Sequence, residues 1–333
     1  MVLSSPKSGG AGWLVLLALL VLVLACASVL VGASDVSMLA LLGIGGAPAD
    51  PMASQLLFAS RLPRTVALIL SGMAMAVAGM IMQMLARNRF VEPSTAGTVE
   101  SASLGVLAVA LFAPELPLFG KMVVSAGFAL AGSLLFLAIL RRIPQRSSLI
   151  VPLVGLVLGG VISAVTTFFA HRHDMLQSLH AWSTGDFSAV LRGRYELLWI
   201  GFGLTLLAWH TAHRFTVAGM GRDFSANLGL RHGRMVALGL LIVATVTAVV
   251  VVTSGMVPFL GLIVPNLVSL MLGDNVRRAV PWVGLLGAAF VLACDIAGRL
   301  LLHPYEVPIG TVVGIVGSAL FLFLLLRTRA RVG

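Results

Sequence analysis

The sequence predicts an all-α, polytopic membrane protein with about ten transmembrane helices, and three observations predict it. Of 333 residues, 59% are hydrophobic and 10% charged, where a soluble domain is near half apolar and about a quarter charged. Apolar runs of about twenty residues, the length that crosses roughly 30 Å of hydrocarbon, recur from end to end. The basic residues behind the net charge of +10 sit in short stretches between those runs. That is the positive-inside pattern of a membrane protein, not a nucleic-acid-binding surface. A β-barrel would show short alternating strands instead.

The spans are read at roughly 12–32, 63–86, 95–113, 119–140, 149–170, 195–213, 234–254, 258–272, 280–302 and 308–326. The first run, Trp13 to Val31, is too long for a signal-peptide core. Val23-Leu24-Ala25-Cys26 faintly resembles a lipoprotein cleavage box, but Leu24 fits it poorly. The second span opens on Arg61-Leu62-Pro63-Arg64 and closes before Arg87-Asn88-Arg89-Phe90-Val91-Glu92-Pro93. Pro63 suits a helix's first turn, where its missing N–H costs nothing. Within that span Gly72, Gly79, Ala74, Ala76 and Ala78 allow close backbone approach. Met73, Met75, Met80, Met82 and Met84 read as an adaptable packing face rather than a path for a soft metal. The third and eighth spans are short and rich in Gly, Pro or Ser. Breakers at membrane depth are tolerated where protein or a water-filled cavity covers the freed backbone. Cys26 and Cys294 lie in apolar runs without ligand neighbours and read as helix-packing residues.

Counting Lys and Arg in alternate loops gives 15 on the side of Lys7, Arg87 and Arg327, and 7 on the side of Arg61 and Arg299. This places both termini in the cytoplasm. Two polar stretches stand outside the spans. One, 215–233, holds Gly221-Arg222-Asp223-Phe224-Ser225-Ala226-Asn227-Leu228-Gly229 and reads as one or two small helices with Gly punctuation. The other, 171–195, holds Trp182-Ser183-Thr184-Gly185-Asp186-Phe187 and reads as a short interfacial helix and a turn. No linker or second soluble domain is evident, so 1–333 is one transmembrane domain.

The second span is chemically equipped at both ends. At the external mouth, Arg61 and Arg64, with Arg299 from the ninth span, lie on the side that the charge rule depletes of arginine. Guanidinium forks match carboxylates, so the mouth suits an acidic partner. At the cytoplasmic mouth, Asn88 and Phe90 could form a constriction. Asp295 is read as the one acid well inside a span, and its i,i+4 spacing to Arg299 suggests a structural ion pair rather than a proton relay. His303, Tyr305 and Glu306 belong to the same rim. His171-Arg172-His173-Asp174 is a poor cation site because an arginine divides the histidines. Neither HExxH, GxSxG nor GxxxxGK[ST] occurs, so the chain is expected to be no enzyme, to hold no metal, and to lack a nucleotide site of its own.

In order and spacing, these pieces resemble the permease subunits of FecCD-type importers of iron-siderophores and vitamin B12. The marks are Arg61-Leu62-Pro63-Arg64, Gln83 with Arg87-Asn88, Trp182 to Phe187, Asn227-Leu228-Gly229, Val257-Pro258-Phe259-Leu260-Gly261-Leu262-Ile263-Val264-Pro265, Asp295 with Arg299, and Glu306-Val307-Pro308-Ile309-Gly310. The resemblance covers essentially the whole chain. It departs from the family at Arg89-Phe90-Val91, where Pro-Leu-Ala is usual, at Asn266, where His is usual, and at Asp274-Asn275, where a basic pair is usual. Pro93 to Gly97 and Asn266 to Leu270 look most like the branch that imports catecholate-type ferric siderophores, petrobactin and anguibactin permeases among them.

The resemblance implies the type II ABC importer fold, with ten helices per subunit. It implies a homo- or heterodimer of permeases, two cytoplasmic ATPases that carry the ATP and Mg, and an external substrate-binding protein, all at the bacterial inner membrane. Arg61, Arg64 and Arg299 would dock the binding protein. Gly221, Arg222, Asp223, Ala226, Asn227, Leu228 and Gly229 would couple to the ATPase. Asn88, Phe90, Ser147 and Ser148 would line the cytoplasmic gate. The rivals are the same fold importing cobalamin or haem, an ion-coupled secondary transporter, and a structural membrane subunit.

Overall fold

The computed structural model describes residues 10–31, 55–143, 150–220, 225, 227–228, 230–273, 275–302 and 305–329. Its helices are α1 Gly10–Leu30, α2 Leu62–Leu85, α3 Thr98–Phe112, α4 Leu118–Arg142, α5 Ile150–Arg172, α6 Leu176–Ser183, α7 Leu198–His210, α8 Ala212–Gly219, α9 His232–Ser254, α10 Leu260–Leu272, α11 Val276–Leu301 and α12 Ile309–Arg329. Among the described residues no strand forms beyond a single bridge between Leu302 and Tyr305. Each of the ten expected spans has its helix within about four residues of the expected bounds. The short α6 stands where the interfacial helix was expected. Six of the helices are long and apolar enough to cross a membrane, while Thr98–Phe112, Leu260–Leu272 and the last helix are shorter apolar pieces. The chain is a multi-pass membrane protein.

Helix α2 is the axis of the fold. With the π-turn Leu57–Arg61 it forms one run of 29 residues whose most apolar 18-residue window is 83% buried, against 11% for that of α1. It packs against α11, α10, α9 and α7. In a bilayer helices gain no hydrophobic free energy by leaving lipid for one another, so small residues and dispersion decide the contacts. A Cβ built on Gly79 would lie 2.2 Å from Gly261 Cα on α10, and one on Gly72 would lie 2.7 Å from Gly287 O on α11. Glycine is required at these crossings because backbone meets backbone there.

The axis stops at a Schellman turn. Arg87 takes a left-handed conformation (φ 47°), its N–H reaches Met84 O (3.2 Å), and Asn88 N–H reaches Gln83 O (2.9 Å). Glycine is usual at that position; here arginine occupies it.

Helices α3 and α10 are too short to cross the membrane alone. At 1.5 Å per residue, 15 and 13 residues span only about 20 Å. The remainder is non-helical: residues 86–97 lead into α3 and residues 255–259 lead into α10. Residues 86–97 are mostly buried and 255–259 are buried or half-buried throughout, so protein covers backbone that lipid would not tolerate at membrane depth.

Candidate functional site

The two ends of α2 gather the polar side chains. At the Arg64 end, Asp295 on α11 is buried between two guanidiniums. Arg64 Nη2 donates to Asp295 Oδ1 (2.8 Å), and Arg299 Nη2 pairs with Asp295 Oδ2. Arg64 Nη1 also reaches Glu306 Oε2 (2.7 Å), so one arginine spans two carboxylates. Arg299 turns to the C-terminus of α1, donating to Ser28 O (2.8 Å), Ser28 Oγ (2.6 Å) and Val31 O (2.5 Å). Arg61 does the same, reaching Val29 O (3.2 Å) and Leu30 O (3.4 Å). The last carbonyls of a helix have no partners within it, and cations there are favoured by the helix dipole. Two arginines thus fasten the exposed α1 to the rest of the bundle. The three arginines read from the sequence as one mouth do come together, with guanidiniums largely directed inward. The Arg64–Glu306 pair is the most open part, its carboxylate side chain being 26% exposed. His303 lies outside the described residues.

Glu92 was passed over in the sequence because it sits in a Pro-containing loop. It is buried, and its Oε1 accepts from Phe259 N–H (2.9 Å) at the start of α10 and from Ser94 Oγ. Phe259 adopts the left-handed region (φ 61°), and a Cβ on Gly261 would lie 3.1 Å from Glu92 Oε2. The carboxylate therefore caps the N-terminus of one broken helix from the segment that precedes the other. Gln83 Nε2 adds a bond to Gly261 O (3.1 Å), and Asn266 Nδ2 bonds Arg89 O (2.8 Å) and Leu262 O (2.7 Å). Three side chains tie the breaks of α3 and α10 to the end of α2. The reading of Asp295 as the one acid inside a span is corrected by Glu100, in the first turn of α3. The available signal was a short span introduced by Glu92-Pro93 and Gly97.

At the Arg87 end a cavity of about 430 Å³ lies between α2, α8, α10 and α11, lined by Gln83, Arg87, Asn88, Asn266 and Ser269 among others. Buried Asn88 accepts from Phe90 N–H through Oδ1 (2.8 Å), and Phe90 packs edge-on against Phe321 of α12 with ring centroids 6.0 Å apart. Thr216 and Gly219 bring α8 to the same cavity. Of the expected coupling residues, Asn227 and Leu228 are described and both are exposed; Gly221, Arg222, Asp223, Ala226 and Gly229 lie outside the described residues, as do Ser147 and Ser148.

The motif Trp182 to Phe187 is a joint. Asp186 N–H bonds Ser254 O (2.8 Å) at the end of α9, Gly310 N–H bonds Gly185 O (2.9 Å) at the start of α12, and Phe187 is buried. Among the described residues no group of three His, Cys, Asp or Glu side chains could hold a metal.

This geometry has known counterparts. The chain is 48% identical over 313 residues to the petrobactin import system permease protein YclN of Bacillus subtilis, covering 94% of this chain and 97% of that protein. It is 42% identical to the ferric-anguibactin transport system permease protein FatD of Vibrio anguillarum, covering 81% and 86%. A metal-chelate type ABC transporter solved in an inward-facing conformation shares the fold, with TM-score 0.79 at 23% identity over 95% of this chain and 99% of that one. The model of the FecCD transport family matches residues 19–327, and the chain belongs to that family.

Proposed function

We propose that this chain is the permease subunit of an ATP-driven importer that passes a ferric siderophore from an external binding protein into the cytoplasm. The observation that carries the reading is the likeness to petrobactin and anguibactin permeases, which covers 94% of the chain for the first and 81% for the second. The polar groups gathered at both ends of one buried helix support it. The chain is a transport subunit; ATP and Mg belong to two partner ATPases, and a second permease, identical or related, completes the conduit in the bacterial inner membrane. Both termini face the cytoplasm, so the Arg64 end is external.

There, Arg61, Arg64 and Arg299 form a rim prepared for docking. An acidic side chain of the binding protein competes with Glu306 for Arg64, while Arg61 and Arg299 hold the rim in shape. At the opposite end, 215–233 receives the stroke of the ATPase, and Asn88 and Phe90, with Ser147 and Ser148, gate the exit. Tilting of α10 and α12 parts Phe90 from Phe321 and opens it. The buried acids Glu92 and Glu100 favour one rival, an ion-coupled carrier, since such carriers use intramembrane titratable groups.

The test is uptake of labelled ferric catecholate chelates in a strain lacking this chain. Uptake falls to background, and it also falls in the complemented strain on ATP depletion with the ion gradient maintained. Undiminished uptake in the deletion strain overturns the reading, and uptake that follows the gradient alone establishes the rival.

A further inference from the structure

A second cavity, of about 600 Å³, opens between α3, α5, α6 and the segment after α9. Glu100 of α3 lies in its wall with Ser103, while α5 contributes Ser163 and Thr167. Glu100 Oε2 is buried and has no hydrogen-bond partner among the described residues. A carboxylate oxygen in that condition calls for a donor, because leaving it unmet costs its full desolvation. The carboxyl is held in place from behind: a Cβ on Gly159 would lie 3.3 Å from Glu100 Cδ, so the small residue on α5 makes room for it.

The hydroxyls nearby divide into two sets. Thr166 Oγ1 is spent on Ile162 O (2.8 Å) and Ser183 Oγ on His180 O (3.1 Å). Ser163 and Thr167, one turn apart on α5, are exposed toward the cavity. The cavity lining therefore offers one carboxylate, several hydroxyls and the imidazole of His180, with no lysine or arginine. Such a wall attracts cations and hydrogen-bond donors and repels carboxylates and other anions. Its volume is far beyond that of a bare ion.

We propose that this cavity binds the protonated-amine portion of an organic solute, with Glu100 as the anchoring carboxylate and the Ser163 and Thr167 hydroxyls as flanking acceptors. The inference rests on the import reading in one respect: the solute is cargo, whose cationic arm is held here while its metal-binding part lies elsewhere.

The test uses the full chain in lipid nanodiscs and saturation-transfer NMR with 1,4-diaminobutane as probe and succinate as its anionic counterpart. The diamine gives a saturable signal and succinate gives none. E100Q lowers the diamine signal fivefold or more, and T167V lowers it at least twofold. T167V also serves where E100Q fails to fold, as judged by its elution and thermal unfolding. No diamine signal in the native chain, equal signals for succinate, or an unchanged signal in both variants overturns the site. Those outcomes leave ferric-chelate import standing, whereas undiminished uptake in the deletion strain refutes import whatever the diamine titration gives.

Discussion

Replacing Asp295 by Asn removes one negative charge from between Arg64 and Arg299 and changes little else. The Asp295 side chain is 1% exposed, and those of the arginines 13% and 5%, so water cannot take over the lost role. Removing one partner of a buried ion pair costs about 3–5 kcal/mol, because the other charge is stranded. Arg64 keeps Glu306, and Arg299 keeps the Ser28 and Val31 carbonyls. These partners place D295N toward the lower end, about 3 kcal/mol, roughly a hundredfold in the unfolding equilibrium. The assay is reversible unfolding of the purified chain in mixed micelles, followed by tryptophan fluorescence. The double variant D295L/R299M removes one charge of each sign but also the Arg299 bonds to the end of α1, so it recovers only part of the loss. A D295N midpoint within about 1 kcal/mol of the native chain would refute the paired, buried unit.

Gly79→Ala forces its new methyl into the Gly261 backbone and destabilises by about 1–3 kcal/mol, whereas Gly203→Ala, with nothing within 4 Å, is neutral in the same unfolding assay. Glu92→Gln replaces an acceptor with an amide that must turn its single oxygen to Phe259 N–H; uptake of labelled chelate drops severalfold while membrane insertion, read by blotting of the membrane fraction, is unchanged. Reversing Arg61 and Arg64 together to Glu weakens binding-protein docking at least tenfold at low salt, with a smaller difference at high salt, measured by surface plasmon resonance. Identical docking at both salt concentrations argues against the rim.

Hydropathy made the ten helices legible because each apolar run is bounded by arginines or by Gly-Pro punctuation. The shortness read at the third and eighth spans was the visible edge of a tertiary fact, that both are short helices preceded by covered, non-helical chain. The fact itself was hidden, since only folding brings Glu92 to Phe259, 167 positions away. Asp295 and Arg299 could be paired from spacing alone, being one turn apart. Their bonds to Arg64 and to the carbonyls of α1 could not, because hydropathy carries no information about which helix ends meet. The three arginines do meet at one end of α2, and their inward direction emerged from the packing of α1 on α11. Glu100 was obscured because it lies in the first turn of a short span among small hydroxyl residues, Thr98, Ser101 and Ser103, that read as loop.

The bracing of the two helix breaks has a mechanical corollary. Glu92 belongs to the stretch entering α3, yet it also holds the start of α10, and Gln83 clamps that start to α2. The half-helices accordingly share a fulcrum. In the proposed import cycle, a push on α10 would therefore pass through the Glu92 brace to the stretch that carries Phe90 rather than being taken up as local slack.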